Sequence, residues 1–198
     1  MIKIAVFASG TGTNFVALYD HIKQAQLPIE ITRVICDQPK AAVLDRARER
    51  QIPIWTHRLK EFEGKEAYEQ AILTQVQADN AQLLVLAGYM RIVTQVLLNA
   101  YAGKIINIHP ALLPSFPGRH GIEDAFDYGV KVTGVTVHYV DSGVDSGPVI
   151  AQQPVAILPE DSVESLAMKI HDVEHELYFE SLCQVLRDQG LLTVQDNG

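Results

Sequence analysis

The segment Asn107-Ile108-His109-Pro110 carries the clearest chemical signal in the chain. Side chains along a strand alternate between faces, so Asn107 and His109 project the same way if this segment ends a strand. An asparagine amide offers a neutral donor to an oxygen, and a histidine holds or moves a proton near neutral pH. A lone histidine there is more simply a half-buried residue closing a strand. The same-face asparagine, at the carboxyl end where open α/β sheets bind ligands, reverses that preference.

Two further loops could contribute. In Ser9-Gly10-Thr11-Gly12-Thr13-Asn14, glycines let backbone N–H groups converge on an anion in front of a helix N-terminus. The spacing differs from the dinucleotide fingerprint, with Asn14 near the third glycine's place, and the lysine of a phosphate-binding P-loop is absent. Short polar side chains at Thr11, Thr13 and Asn14 suit a terminal phosphate; a plain tight turn is the structural alternative. The loop Asp141 to Pro148 is glycine-rich, with Asp141 and Asp145 as its only charges. Either could sit beside His109 and raise its pKa, or both could simply form turns, and spacing does not choose between them.

The sequence around these residues reads as alternating strands and helices. Ile2 to Ala8 predicts a strand, with helical spacing after the glycine loop at Phe15, Val16, Leu18, Tyr19 and Ile22. Strands follow at Ile29 to Cys36, Pro53 to Trp55, Leu83 to Ala87 and Lys104 to Ile108. Helices are expected over Ala41 to Arg50, Lys65 to Gln77 and Val93 to Asn99. This alternation predicts a mostly parallel sheet with helices on both faces. After a proline-rich stretch and a short helix at Gly121 to Tyr128, Thr133 to Val140 and Val149 to Val155 are strands joined too tightly for a parallel crossover. They should pair antiparallel, giving a mixed sheet. Asp161 and Glu164 suggest a capping box opening a long last helix. With no linker or repeat, 1–198 reads as one domain.

Composition removes several function classes. At 198 residues, 47% hydrophobic and 20% charged, the chain is neither disordered nor fibrous. No apolar run suffices for a membrane helix, and the apolar start ends at Ser9-Gly10, too soon for a signal peptide. Two cysteines, Cys36 and Cys183, give no disulfide framework or metal motif, which suits a cytoplasmic location. A net charge of −8 without a basic arm argues against nucleic acid. Arg46, Arg48 and Arg50 are expected on a solvated helix face. His171 to His175 matches the H-x-x-E-H zinc pattern, but little chain remains to supply a distal ligand, so no metal is expected.

Four segments carry a family resemblance: Ser9 to Asn14, Leu86-Ala87-Gly88-Tyr89-Met90-Arg91-Ile92, Asn107 to Gly118, and Asp141 to Pro148. Along nearly its whole length the chain resembles the folate-dependent formyltransferases, and within them the branch acting on glycinamide ribonucleotide. The resemblance implies a single-domain, Rossmann-like formyltransferase fold. It also implies formyl transfer from 10-formyltetrahydrofolate, as cosubstrate, to the amine of phosphoribosylglycinamide in purine biosynthesis, by a monomer or homodimer. By position, the catalytic trio falls on Asn107, His109 and Asp145, with Asp145 keeping His109 charged. The ribonucleotide phosphate is implied at Gly12, Thr13 and Asn14, its ribose at Glu174 and its glycinamide end near Gly88. The folate is implied along Met90, Arg91, Ile92 and Val93, with Asn107 and Asp141, and near Lys65. Lys65 stands where bacterial relatives often carry arginine, Ala111 replaces a usual serine and Phe179 a usual proline. His171 lies where relatives vary. Formyltetrahydrofolate deformylase uses the same trio with water as acceptor, but its relatives carry an extra N-terminal domain. A transfer-RNA formyltransferase would add a basic C-terminal domain. A non-catalytic nucleotide-binding module would explain the glycine loop but not Asn107 and His109.

Overall fold

The first strand shows why the sheet lies at the centre of the molecule. In β1 (Ile2–Ala8) every residue but Lys3 is buried. Ile4, Val6 and Ala8 face one apolar core, while Ala5 and Phe7 face the other. Burial on both faces is the mark of a parallel strand covered by crossover helices. The computed structural model describes residues 1–193, so 194–198 of the expected single domain lie outside the described residues.

The remaining elements, in chain order, are α1 (Thr13–Gln24), β2 (Ile29–Cys36), α2 (Ala42–Glu49), β3 (Ile54–Thr56), a 3₁₀ turn (Leu59–Glu61) and α3 (Lys65–Ala78). They continue as β4 (Leu83–Leu86), α4 (Gln95–Ala100), β5 (Ile105–His109), α5 (Gly121–Tyr128), β6 (Val132–Tyr139), β7 (Val149–Ala156) and α6 (Val163–Asp188). The seven strands are ordered β3-β2-β1-β4-β5-β6-β7. Strands β1 to β5 pair in parallel, β6 is antiparallel to β5, and β7 is antiparallel to β6. The order reverses between β1 and β4, so the loops after these two strands diverge and leave a crevice. Among the described residues no helix is long and apolar enough to cross a membrane.

Several local expectations are corrected. Helix α6 is capped by Ser162, not Asp161: Ser162 Oγ accepts from Ser165 N at 3.2 Å, and Ser165 Oγ accepts from Ser162 N at 3.0 Å. Asp161 instead takes Lys169 Nζ at 2.7 Å. Helix α4 starts two residues later than expected, because Thr94 caps it and is itself held by the buried Glu69 carboxylate. That releases Val93 to the loop after β4. Arg50 is not on a solvated face; its guanidinium lies 5.3 Å from the Tyr19 ring centroid.

Gly12 is the N-cap of α1, with φ +76°, in the left-handed region that favours glycine. A β-carbon there would lie 2.5 Å from Val43 Cγ2 on α2. A Gly12→Val variant therefore disturbs helix packing along with any ligand, and substitutions at Asn14 or Thr13 are the cleaner probes of this loop.

Candidate active site

The antiparallel pairing of β5 with β6 builds the centre of the site. It sets Asn107 opposite His138 and His109 opposite Thr136. His138 Nδ1 lies 2.7 Å from the Tyr139 carbonyl, and its Nε2 lies 3.2 Å from Asn107 Nδ2. The contact holds the amide in place and leaves Asn107 an N–H for a ligand. Asp145 reaches back from the β6–β7 loop, its backbone at φ +50°. Its carboxylate lies 3.5 Å from His109 Nδ1 and 3.7 Å from His138 Nε2, and Gly118 N donates to it at 2.8 Å. Spacing left Asp141 and Asp145 equivalent. In the structure Asp141 is the turn former, accepting from Gly143 N and Ser146 Oγ, while Asp145 faces the histidines.

His109 is buried, with its Nε2 2.8 Å from the Phe116 carbonyl and Nδ1 towards Asp145. Two flanking acceptors favour the imidazolium, but burial opposes it and wins, leaving the pKa below the ordinary histidine value. This corrects the expectation that Asp145 keeps the ring charged. For Asp145, burial pushes the carboxyl up. The His138 ring, Gly118 N–H and His109 together outweigh it and hold the carboxyl below its usual range.

These groups line one wall of a cavity that Gly88, Met90, Ile92, Val93 and Val144 continue with largely apolar surface. Arg91, Asp141 and Arg119 also line it, and Arg119 Nη2 donates to Met90 O at 3.1 Å. Lys65 does not; it opens α3, outside the cavity. The Met90–Val93 loop is fixed by Asp37, an almost wholly buried carboxylate at the end of β2. Asp37 accepts from Ser9 Oγ at 2.6 Å and Gln38 Nε2 at 3.1 Å, while Met90 N donates to Ser9 Oγ at 2.9 Å. Arg91 Nε lies 2.8 Å from Asp37 Oδ2, a charge contact whose N–H is not aimed for a hydrogen bond.

A second group lies outside this cavity. Gly12, Thr13 and Asn14 open α1, whose first turn has no side-chain cap. Asn14 Nδ2 donates to Glu174 Oε2 of α6 at 3.2 Å, and Asn14 Oδ1 is buried without a partner. Glu174 is buried with that single partner, and burial pushes its carboxyl up to about 7 despite Asn14. Gly88 joins the two groups: it lines the cavity, and its carbonyl accepts from Ser9 N at 3.0 Å.

The formyl transferase family pattern matches residues 2–182. The chain belongs to the formyl transferase family. It is 46% identical over 186 residues to phosphoribosylglycinamide formyltransferase of Bacillus subtilis (strain 168), covering 94% of this chain and 95% of that protein. It is similar to the crystal structure of phosphoribosylglycinamide formyltransferase from Bacillus halodurans, with a TM-score of 0.91 and 48% identity over 94% of this chain and 96% of that one. Glycinamide ribonucleotide transformylase 1 from Geobacillus kaustophilus gives the same TM-score and identity over 94% of this chain and 99% of that one. The family's mostly parallel α/β fold, expected from the sequence, is the fold found.

In this formyl transferase the structure brings Asn107, His109 and Asp145 together, with Gly88, Met90 to Val93 and Asp141 on the same cavity. Gly12, Thr13, Asn14 and Glu174 form the neighbouring group. Sequence reading missed His138 and Asp37. His138 stands at an alternate position of β6 and could have been found by pairing that strand with β5. Asp37, an acid directly after an apolar strand, looks like an ordinary turn residue. Among the described residues no group of three or more His, Cys, Asp or Glu could hold a metal ion.

Two outcomes test this geometry. Asp37→Asn removes the charge facing Arg91, a contact worth about 1 kcal/mol. It should raise the KM of one substrate about fivefold and leave that of the other unchanged, if the cavity holds one and the α1 N-terminus the other. Steady-state kinetics with each substrate varied in turn checks this. Glu174 takes up a proton on folding, so its contribution favours the native state most at pH below about 4.5 and weakens until about 7. The full swing is up to about 3 kcal/mol. Glu174→Gln should flatten the decline of Tm across that window; an unchanged pH profile would show that Glu174 titrates normally.

Proposed function

We propose that this chain transfers the formyl group of 10-formyltetrahydrofolate to the amine of phosphoribosylglycinamide, a step of de novo purine biosynthesis in the cytoplasm. The observation that carries this reading is the Asn107–His138 and His109–Asp145 cluster on the wall of a largely apolar cavity. Beside it lies a helix N-terminus suited to a phosphate. The cavity fits a flat heterocycle, with backbone of the Met90–Val93 loop along its polar edge. Asn14 and Glu174 offer an amide and a carboxyl to a ribose and its phosphate.

In the reaction a C–N bond forms between the glycinamide nitrogen and the formyl carbon, and the bond from that carbon to N10 breaks. Negative charge grows on the formyl oxygen. The free N–H of Asn107 is placed to donate to it, an interaction whose loss costs about 3–4 kcal/mol in comparable sites. His109 contributes differently, because both its nitrogens already face acceptors. Its depressed pKa keeps the resting ring able to take the amine proton and pass it to N10, directly or through a held water. Asp145 stabilises the imidazolium as it forms. Neither cysteine is placed as a nucleophile; both are buried free thiols.

Formyl donor consumption, followed with and without the ribonucleotide, tests this function. Consumption should require the ribonucleotide; turnover with water alone would make the chain a hydrolase. Asp145→Asn removes the charge that lifts the His109 pKa, so the NMR titration midpoint of His109 should fall further and kcat should drop. Ribonucleotide binding should persist. Asp141→Asn should leave the midpoint in place, and the opposite pattern would reassign the partner.

A further inference from the structure

The segment between β5 and α5 is held at two places of different kinds. Its first part is fastened to β6. The buried Thr136 hydroxyl donates to Ala111 O at 2.7 Å and accepts from Leu113 N at 3.0 Å, and Gln152 Nε2 donates to Leu113 O at 2.9 Å. Its second part, Phe116-Pro117-Gly118, touches the reacting groups themselves. The Phe116 carbonyl lies 2.8 Å from His109 Nε2, and Gly118 N donates to Asp145 at 2.8 Å. A carbonyl only accepts, so the contact with His109 stands only while Nε2 carries a proton.

Phe116 makes that contact from the left-handed region, at φ +53°, which a bulky residue before a proline rarely adopts. Such a backbone persists only where its surroundings over-determine it. One support is space. At Gly121, the first residue of α5, a β-carbon would stand 3.2 Å from both the Phe116 carbonyl and His109 Nε2, so only glycine leaves the contact uncrowded. The other support is a ring. Tyr128, the last residue of α5, is 79% exposed, and its ring meets that of Phe116 edge to face with centroids 5.7 Å apart. Neither Phe116 nor Tyr128 lines the cavity.

We propose that Tyr128 is a positioning residue for His109: its ring clamps Phe116 in the left-handed backbone that aims the Phe116 carbonyl at Nε2. This rests on the formyl-transfer reading for the use made of His109. The carbonyl fixes the plane of the imidazole and keeps a proton on Nε2. Nδ1, beside Asp145, is then the nitrogen left to gain one. Without the Tyr128 ring, Phe116 relaxes towards the extended backbone that a residue before proline prefers, and its carbonyl turns away from His109. A residue mostly in solvent and outside the cavity thus acts on the chemical step and not on binding. The contact is made by the ring, so the hydroxyl of Tyr128 is dispensable.

The test joins kinetics to NMR of the full chain labelled with ¹⁵N in its histidine rings, recorded above the titration range of histidine. The wild type should show His109 as a single form protonated at Nε2. Tyr128→Ala should give a mixture of the two neutral forms and a kcat about three- to tenfold lower, the range that an edge-to-face aromatic pair supports. Both KM values should stay within about twofold of the wild type, as expected when only the chemical step is touched. Tyr128→Phe should restore the single form and the rate. Phe116→Ala should match Tyr128→Ala, and the double variant should be no worse than either, because the two rings act as one unit. Wild-type His109 signals and kcat in Tyr128→Ala, a loss confined to KM, or a Tyr128→Phe as impaired as the alanine variant would each overturn the proposal. Absence of transfer in the wild type, with the His109 form still dependent on Tyr128, would instead count against the formyl-transfer reading.

Discussion

Asp145 shares one carboxylate between His109 of β5 and His138 of β6, at 3.5 and 3.7 Å, with a backbone N–H from Gly118 completing its contacts. A carboxylate withdrawn this far from water is tolerated only where donors and positive charge replace the solvent. That requirement constrains everything around it. The β6–β7 loop must return across the sheet, the chain after β5 must bring Gly118 within 2.8 Å, and β6 must run antiparallel so that His138 falls beside Asn107. The single reversed strand pairing next to β5 is thus the structural condition for the cluster. A parallel strand there would need a crossover connection, and its register would not set these two side chains opposite each other.

Asp37, Asp145 and Glu174 are all withdrawn from solvent, and the company each keeps sets it apart. Asp37 has a hydroxyl, an amide and a guanidinium, and uses its charge to hold the Met90–Val93 loop. Asp145 has two imidazoles and a backbone amide, enough to keep it ionised against burial. Glu174 has one neutral amide, and burial dominates, so its carboxyl rises to about 7. Desolvation is common to all three. For Asp145 and Glu174, the number and charge of the donors decides whether the carboxyl is held below or pushed above its usual range.

How much of this was legible in the sequence follows from the range of the interaction concerned. Strands β1 and β2 and helix α5 were read to the residue, because apolar runs and helical spacing are local. Asn107 and His109 were legible for the same reason, as neighbours on one strand face. His138 was not, because its meaning depends on a cross-strand register set by a connection that passes through α5. Asp37 was not, because its partner Arg91 lies on the loop after another strand and only the sheet order brings them together. The choice between Asp141 and Asp145 was also beyond spacing. Both sit in one loop, and only the left-handed backbone at Asp145 aims a carboxylate back at the histidines. The cap of α6 shows the local version of this limit: Asp161 and Ser162 are both good capping residues, and a distant lysine draws Asp161 away.

The division of the site into two groups has its own physical logic. Two substrates must meet at one bond, yet each must be gripped by a part of itself that does not react. Reversal of strand order between β1 and β4 supplies two diverging loops from adjacent strands, one opening α1 and one walling the cavity. Ser9 N donates to the Gly88 carbonyl at 3.0 Å and ties the two loops together. Glycine at position 88, with φ +77° and no atom within 4 Å of a notional β-carbon, leaves open space at that junction. A side chain there would strain the backbone and fill that space. On a chain of net charge −8, anions are attracted only by local devices such as a helix end and buried amides.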